Sequence, residues 1–292
     1  MVTFHRRLPR FEYARPRSID EALSLLARHK EEARPMAGGT DLLPKMKRRE
    51  IEAPKYVIDL KGIPDLDYIE YDHKKGLRLG ALTTIHAIET SPVIQLRFSI
   101  LAQAAYLMAA PQVRNRGTVA GNICNAVPSA DSVPPLLALE AKLKLMSQKG
   151  ERILALEDFF TGPHETVLTG VELLVEIQIP PLPSESRGIY LKLSPKRSMD
   201  LATVGVAALV ITEDGLCKDI RIALGAVAPT PIRAKRAEDI IRGQGFSDEL
   251  IERTAQTAAE ESRPIDDHRA SAEYRRWMVQ ALVRRAINQA IS

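Results

Sequence analysis

The sequence predicts an α+β fold, in which strands and helices do not alternate in regular βαβ units. The 292 residues, 45% hydrophobic and 27% charged, suffice for about two domains of ~150 residues with sizeable cores. The pattern of predicted elements changes after about residue 180, from mixed strands and helices to strands followed only by helices. Pro180-Pro-Leu-Pro183 interrupts a strand-like segment at this point, and we predict a domain boundary there.

The first part of the chain carries local signals for both helices and strands. Ser18 and Glu21 have the spacing of a capping box at the start of a helix that runs to about His29. Residues 34–49 indicate a short strand, a glycine turn and a helix that Asp41 is expected to cap. Further strands are predicted at Tyr56–Leu60, Gly76–Gly80 and Glu172–Ile179, and a longer helix from about Val93 to Ala109.

The last third of the chain is predicted to contain an antiparallel sheet and a helical bundle. Its three strands are expected at Tyr190–Leu193, Ala202–Ile211 and Asp219–Val227. Glu213-Asp-Gly215 is typical of a hairpin between the second and third strands, because glycine accepts positive φ. Helices are predicted near Ala234–Arg242, Ser247–Glu261 and Ser271–Ala290.

Composition excludes several classes of partner. The 41 Lys and Arg residues exceed the 37 Asp and Glu residues by a net charge of only +4, which is too little for a dedicated nucleic-acid surface. No apolar run approaches the ~20 residues of a membrane span. The first ten residues lack the apolar segment of a signal peptide. We therefore expect a cytoplasmic protein with neither nucleic acid nor membrane as a partner.

Cysteine and histidine usage argues against metal centres on this chain. Cys124 and Cys217 are the only cysteines, and the six histidines include no pair at i, i+4 spacing. A disulfide framework and a four-thiolate iron–sulfur or zinc site are therefore excluded, and no metal ligand is predicted. The sequence also lacks a P-loop, a G-x-G-x-x-G motif and a nucleophile elbow, and we predict no catalytic side chain.

Two glycine-containing segments, Ala37-Gly-Gly-Thr-Asp41 and Thr118-Val-Ala-Gly-Asn122, are the strongest candidates for a binding site. Glycine lets backbone N–H groups converge on an anion and removes the Cβ that would hold a phosphate away. Thr40 and Thr118 can add hydroxyl donors. Either segment alone is also compatible with a plain turn, but the two together could hold a pyrophosphate from two sides.

In this order, the two segments resemble those of the FAD-binding medium subunit of the molybdenum hydroxylases, the family of xanthine dehydrogenases and aerobic carbon monoxide dehydrogenases. Residues 37–44 resemble the first flavin loop, and residues 116–123, continuing to 128–131, resemble the second. Residues 224–233 and 270–276 resemble the terminal domain of that family. The resemblance covers nearly the whole chain.

The sequence departs from the family pattern at Ala120, where the second loop usually carries another glycine. Because alanine penalises positive φ, we expect the backbone at this position to approach the cofactor differently. We also expect Tyr274, Arg275 and Arg276 to be structural or interfacial rather than flavin contacts.

The resemblance implies a PCMH-type (vanillyl-alcohol-oxidase-like) FAD-binding domain over residues 1–180, with two α/β subdomains over about 1–56 and 57–180. A carbon monoxide dehydrogenase flavoprotein C-terminal-like domain would follow over 181–292. The cofactor-binding residues that it implies are Met36, Ala37, Gly38, Gly39, Thr40, Asp41, Leu42, Leu43, Thr118, Val119, Ala120, Gly121, Asn122, Asp131, Leu174 and Lys192.

Two of these positions have open interpretations. Pyrophosphate would repel the Asp131 carboxylate, so a hydroxyl or a loop amide is the expected partner of this residue. Lys192 is expected either to border the flavin or to be an exposed strand residue.

The family resemblance implies an FAD-carrying electron-transfer subunit. Electrons would come from [2Fe–2S] clusters on a small partner subunit and pass to NAD or another acceptor. A large subunit would carry molybdopterin, in a dimer of heterotrimers. Two cysteines cannot ligate the extra [4Fe–4S] cluster of the branch that reduces hydroxybenzoyl-CoA. The alternatives are a free-standing FAD oxidase of the vanillyl-alcohol-oxidase type and a non-redox scaffold that retains the fold.

Overall fold

The structure, a computed structural model, describes residues 7–196 and 199–292. Its first sheet is parallel, with the strand order β1-β3-β2. Parallel neighbours cannot be joined by a tight turn, and helices accordingly connect the strands. The elements are β1 (Glu12–Ala14), α1 (Ile19–His29), a 3-10 helix (Lys30–Glu32), β2 (Ala33–Met36), α2 (Leu42–Arg48) and β3 (Tyr56–Asp59).

The predicted caps of the first two helices have different outcomes. The Ser18 hydroxyl oxygen accepts from the Glu21 N–H at 3.2 Å, which confirms the predicted start of α1. Asp41 stands at the corresponding position before α2, but its side chain makes no capping hydrogen bond. Its backbone is already helical, with φ −103° and ψ −50°, whereas a capping side chain normally reaches back from an extended residue. The predicted cap at Asp41 is therefore wrong.

A second sheet is antiparallel, with the strand order β4-β5-β10-β6-β7, and β8 and β9 form a separate pair. Its strands are β4 (Ile69–Asp72), β5 (Gly76–Gly80), β6 (Lys142–Ser147), β7 (Gly150–Ala155), β8 (Phe160–Gly162), β9 (Glu165–Thr166) and β10 (Leu173–Ile179). Short 3-10 helices lie at Leu60–Gly62, Pro64–Leu66 and Leu156–Asp158. This sheet contains the predicted strands near residues 76–80 and 172–179.

Between β5 and β6 the chain forms a group of short helices. They are α3 (Ile85–Thr90), α4 (Pro92–Arg97), α5 (Ser99–Leu107), α6 (Pro111–Arg114), α7 (Val119–Asn125) and α8 (Val133–Ala138). The continuous helix predicted from Val93 to Ala109 is wrong, because Phe98 leaves the helical conformation between α4 and α5, with φ −131° and ψ 42°. The Phe98 ring is fully buried and meets Tyr71 edge to face at 6.0 Å, so burial of this ring outweighs an unbroken helix.

The last part of the chain forms an antiparallel sheet, ordered β11-β12-β13-β14, and helices. The elements are β11 (Ser186–Leu193), β12 (Val204–Glu213), β13 (Leu216–Gly225), β14 (Ile232–Arg233), α9 (Lys235–Ile241), α10 (Asp248–Glu261) and α11 (Ala272–Ile291). The first three strands are the predicted ones with shifted ends, whereas β14 is an additional edge strand too short to show any alternation. Asp214 and Gly215, with φ of 53° and 79°, form the two-residue turn of the predicted hairpin.

The C-terminal sheet is buried on both faces. Side chains alternate between the faces of a strand, so neighbouring residues of β12 enter different cores. Ala207 and Leu209 belong to the core built mainly from the first 180 residues. Val206 and Ala208 belong to the core that includes α10 and α11. The predicted boundaries at residues 56 and 180 stay predictions; β3, which starts at Tyr56, is the central strand of the first sheet.

Candidate cofactor site

The two glycine-containing segments lie against each other. The first connects β2 to α2, and the second leads into α7. A Cβ atom added to Gly38 would lie 2.1 Å from the Arg116 carbonyl oxygen and 2.8 Å from the Gly117 Cα. No side chain fits in that space, so glycine at this position allows direct backbone contact between the two loops.

The second segment is held by hydrogen bonds at the start of α7. The Thr118 hydroxyl oxygen accepts from the Gly121 N–H at 3.0 Å and caps the helix. Thr118 also forms an antiparallel bridge with Thr84, and the Ile85 N–H donates to the Gly117 carbonyl at 2.9 Å. A hydroxyl that accepts one hydrogen bond can still donate its own proton, so the Thr118 hydroxyl retains a donor.

Ala120 does not require an unusual backbone conformation. It lies inside α7, has no positive φ and buries its methyl group in the core. Positive φ occurs instead at Gly39, with φ 77°, so alanine meets no backbone penalty at position 120. A different approach of this backbone to the cofactor stays a prediction. A Cβ added to Gly121 would meet the Thr118 hydroxyl oxygen at 2.9 Å and then, at 4.0 Å, the Ala37 Cβ. Gly121 thus lies beside Ala37 of the first loop with no side chain of its own between them.

The apolar residues beside the first loop support it from within the protein. Met36, Leu42 and Leu43 pack in a small core with Met46 and Val57. A Cβ added to Gly39 would lie 3.1 Å from the Met36 Sδ and 3.3 Å from a Leu43 methyl carbon. These side chains therefore fix the position of the glycine turn.

Lys61 is a residue beside the site that sequence analysis missed. Its ammonium donates to the Ala37 carbonyl at 3.0 Å and to Asp59 Oδ1 at 2.6 Å. Tyr13 donates to Asp59 Oδ2 at 2.6 Å. Burial acts to raise the pKa of Asp59, but the hydrogen bonds from Lys61 and Tyr13 outweigh burial and lower it. Its position in the sequence could have indicated it, because Lys61 follows the carboxyl end of a parallel strand, where ligands of such sheets bind.

A second polar group is linked to the loops through Asn122. The Ser132 hydroxyl donates to Asn122 Oδ1 at 2.7 Å. Beside it, Asp131 Oδ2 lies 2.7 Å from the Lys192 ammonium, and Asp131 Oδ1 accepts from the Tyr190 hydroxyl at 2.7 Å. The structure thus brings two predicted site residues, Asp131 and Lys192, into direct contact, together with Tyr190, which was not predicted.

This group settles two open interpretations of the sequence. Asp131 has the expected hydroxyl partner in Tyr190 and, in addition, an ion pair with Lys192. The alternative that Lys192 is an exposed strand residue is wrong, since its side chain is only 5% exposed. Burial raises the pKa of Asp131, and the charge of Lys192 and the hydrogen bonds from Lys192 and Tyr190 act against that rise.

The remaining predicted residues have less direct relations to the loops. Leu174 is buried in β10, the strand against which α7 packs. Arg275 is buried and donates to the Ala226 carbonyl at 2.8 Å and to Asp267 at 2.6 Å, as a structural residue would. Among residues 7–196 and 199–292, no cluster of His, Cys, Asp and Glu could hold a metal ion, and no helix is long and apolar enough to cross a membrane.

The geometry fits an extended anionic cofactor. Gly38 lets the backbones of the two loops touch, and Gly121 leaves the start of α7 without a side chain beside Ala37. Consecutive N–H groups around a positive-φ residue such as Gly39 can converge on a phosphate. The buried Asp131–Lys192 pair is connected to the second loop through the hydrogen bond between Ser132, the neighbour of Asp131, and Asn122.

Comparisons with known proteins match both parts of the chain. Residues 9–182 match the FAD binding domain in molybdopterin dehydrogenase, and residues 189–290 match the CO dehydrogenase flavoprotein C-terminal domain. The carbon monoxide dehydrogenase medium chain of Hydrogenophaga pseudoflava is 37% identical over 282 residues, 97% of each chain. The putative xanthine dehydrogenase FAD-binding subunit of Escherichia coli is 32% identical over 281 residues, 96% of each chain.

A solved structure shows the same fold. Carbon monoxide dehydrogenase from Hydrogenophaga pseudoflava, in a form that lacks the Mo-pyranopterin moiety, matches with a TM-score of 0.94 and 38% identity, over 97% of this chain and 98% of that one. The fold and the paired loops therefore define a flavin-binding subunit of an oxidoreductase. The chain belongs to the family of FAD-binding medium subunits of the molybdenum hydroxylases. The resemblance stated from the sequence, the α+β fold and FAD as the cofactor of this chain are confirmed.

Proposed function

We propose that this chain is the electron-transfer subunit of a molybdenum hydroxylase complex, which takes electrons from [2Fe–2S] clusters of a partner and passes them to NAD or another acceptor. FAD supplies the redox chemistry when it is bound, so the chain has to bind, orient and tune it. The observation that supports the proposal is the backbone contact of Gly38 with Arg116 and Gly117, which brings together two loops that lie far apart along the chain.

The residues around these two loops have distinct tasks in the proposal. Residues 37–41 and 118–122 would hold the pyrophosphate and ribose of FAD with backbone N–H groups and the hydroxyls of Thr40 and Thr118. Met36, Leu42 and Leu43 would keep the first loop in place. Asp131, Leu174 and Lys192 would also lie beside the flavin.

The buried ion pair would then supply the electrostatics of the site. A fixed cation in a partly dry environment acts on a nearby ligand more strongly than it would in water. Lys192 would provide that cation, and Asp131 would hold it in place at 2.7 Å. Exclusion of water at this pair follows from its burial, with both side chains less than 10% exposed.

The cysteines support the assignment of iron–sulfur clusters to a partner. Thiolates, not thiols, ligate iron and zinc. Burial raises the pKa of Cys124 to about 12 and that of Cys217 to about 11, so both favour the thiol. We propose a small [2Fe–2S] subunit and a large molybdopterin subunit as partners, in a dimer of heterotrimers located in the cytoplasm. We also propose that the FAD-binding domain ends near residue 180.

Purified chain from a flavin-replete host is expected to be yellow and to release FAD on denaturation. The paired loops hold a pyrophosphate, which FAD contains and FMN lacks. Chromatography of the released flavin measures its identity and its ratio to protein. Stoichiometric FMN, or colourless protein that cannot be reconstituted with FAD, would contradict the proposed site and would favour a scaffold.

The chain is expected to depend on partners for hydroxylation. Alone, it should transfer electrons between NADH and an artificial dye, since bound flavin suffices for that reaction. It should not hydroxylate a heterocycle, an aldehyde or carbon monoxide, because its two cysteines cannot ligate an iron–sulfur cluster and the proposal assigns the molybdopterin to a partner. The assay compares the purified chain with the chain co-expressed with a small [2Fe–2S] subunit and a large molybdopterin subunit. Hydroxylation by the lone chain would instead support a free-standing oxidase.

A further inference from the structure

Asp131 is held by two residues of the same strand face. Tyr190 and Lys192 are two positions apart in β11 and therefore point to the same side of the sheet. Each occupies one oxygen of the Asp131 carboxylate, and both contacts measure 2.7 Å. Tyr190 is 3% exposed. Hydrogen bonds to a buried carboxylate are strong and directional, so this arrangement fixes the orientation of Asp131.

Lys192 is left with one donor. An ammonium group has three N–H bonds. Within the described residues, Lys192 Nζ donates to Asp131 Oδ2 at 2.7 Å and to the Leu107 carbonyl at 3.3 Å. The third N–H is therefore available to a ligand beside the ion pair.

Gly205 makes room for the Tyr190 hydroxyl. It pairs with Lys192 in the ladder between β11 and β12. A Cβ added to Gly205 would lie 2.9 Å from the Tyr190 hydroxyl oxygen, closer than side chains tolerate. Glycine at this strand position is thus explained by the hydroxyl that donates to Asp131.

We propose that Tyr190 is a positioning residue of the flavin site, whose hydroxyl shares the negative charge of Asp131 and so leaves Lys192 with more positive charge toward the flavin. This inference rests on the proposed function, in which Lys192 borders FAD. A carboxylate with two donors spreads its charge over both of them. Without Tyr190, Asp131 would neutralise Lys192 more completely.

The consequence concerns the redox equilibrium of the flavin. Reduction adds electrons, and a nearby cation favours the more negative form of a group. Tyr190 should therefore raise the reduction potential of bound FAD by strengthening the effective charge of Lys192. A role confined to folding would leave the potential unchanged.

The test uses the full chain reconstituted with FAD and compares Tyr190→Phe with the wild type. In Tyr190→Phe we expect the affinity for reduced FAD to fall about fivefold more than the affinity for oxidised FAD. For a two-electron couple, this difference lowers the reduction potential of bound FAD by about 20 mV. Gly205→Ala should lower the potential as well, because its methyl group displaces the Tyr190 hydroxyl. Spectroelectrochemical titration measures the potential, and flavin titration of the apoprotein measures both affinities.

Tyr68→Phe is the matched control. In the wild type, the Tyr68 hydroxyl also donates to a buried carboxylate, that of Glu176, at 2.5 Å, and this pair lies outside the Asp131 group. The potential should not change in this variant. An unchanged or raised potential in Tyr190→Phe, or an equal fall in Tyr68→Phe, would overturn the inference. If the wild type binds no FAD, the proposed function itself fails, which distinguishes the two results.

Discussion

Gly38→Ala is expected to lower the affinity for FAD on the order of 100-fold, which corresponds to ~2.8 kcal/mol. The new methyl group would lie 2.1 Å from the Arg116 carbonyl oxygen, so one of the two loops has to move. The clash is with backbone, which cannot rotate away as a side chain can. Separation of the loops opens the cradle on which the proposed pyrophosphate site depends.

The measurement is a flavin titration of the apoprotein, accompanied by a thermal melt. The cost in folding stability is expected to be ~1–3 kcal/mol, as for other overpacked sites, so the variant should still fold. Gly245→Ala is the matched control, because its added Cβ has only a Leu216 methyl carbon near it, at 3.8 Å. Wild-type FAD affinity in Gly38→Ala would show that the contact between the loops does not form the site.

Lys192→Met is expected to cost ~3–5 kcal/mol of folding stability and to weaken FAD binding, because it leaves Asp131 buried without its ionic partner. The loss of folding stability should depend on pH. Burial raises the pKa of Asp131, and without Lys192 this pKa should rise further. A carboxyl whose pKa is higher in the folded state stabilises the fold at low pH and loses that contribution as pH rises through its folded-state pKa. Urea unfolding should therefore show a smaller deficit at acidic than at neutral pH.

Two further variants separate folding from binding. The double variant Asp131→Asn with Lys192→Met removes the unpaired charge and should regain much of the stability, while FAD binding stays weak. Lys196→Met, at an exposed position of the segment that follows β11, should change neither property. A stability of Lys192→Met equal to that of the wild type would contradict the buried ion pair.

Elements with a local chemical signal could be predicted from the sequence. The Ser18 hydroxyl and the Asp214-Gly215 turn act within a few residues of their own position, and both are found as predicted. Elements decided by tertiary packing could not be predicted. The break at Phe98 depends on where its ring is buried, and β14 exists only because β13 lies beside it.

The candidate site also combines features that the sequence could predict with features that depend on tertiary packing. The two glycine segments could be recognised in sequence, but the contact between Gly38 and Arg116 joins residues that lie far apart along the chain and depends on the tertiary fold. Tyr190 and Lys61 have no sequence pattern of their own and were missed. From the sequence, Lys192 could equally be an exposed strand residue. Only the fold shows that its side chain contacts Asp131.

The burial of the C-terminal sheet on both faces has a consequence for the order of events during synthesis. Chains leave the ribosome from the N-terminus, and the helices α5 and α8 therefore emerge before the sheet that covers them. Ile100 in α5 packs closely against Gly188 of β11, and Pro134 in α8 against Gly225 of β13. The surface of α5 stays open to solvent until β11 has emerged, and that of α8 until β13 has emerged. The partners of Asp131 also arrive late, since both belong to β11. The Asp131 group, which the proposed function places beside the flavin, therefore cannot form while only the first 180 residues have been made.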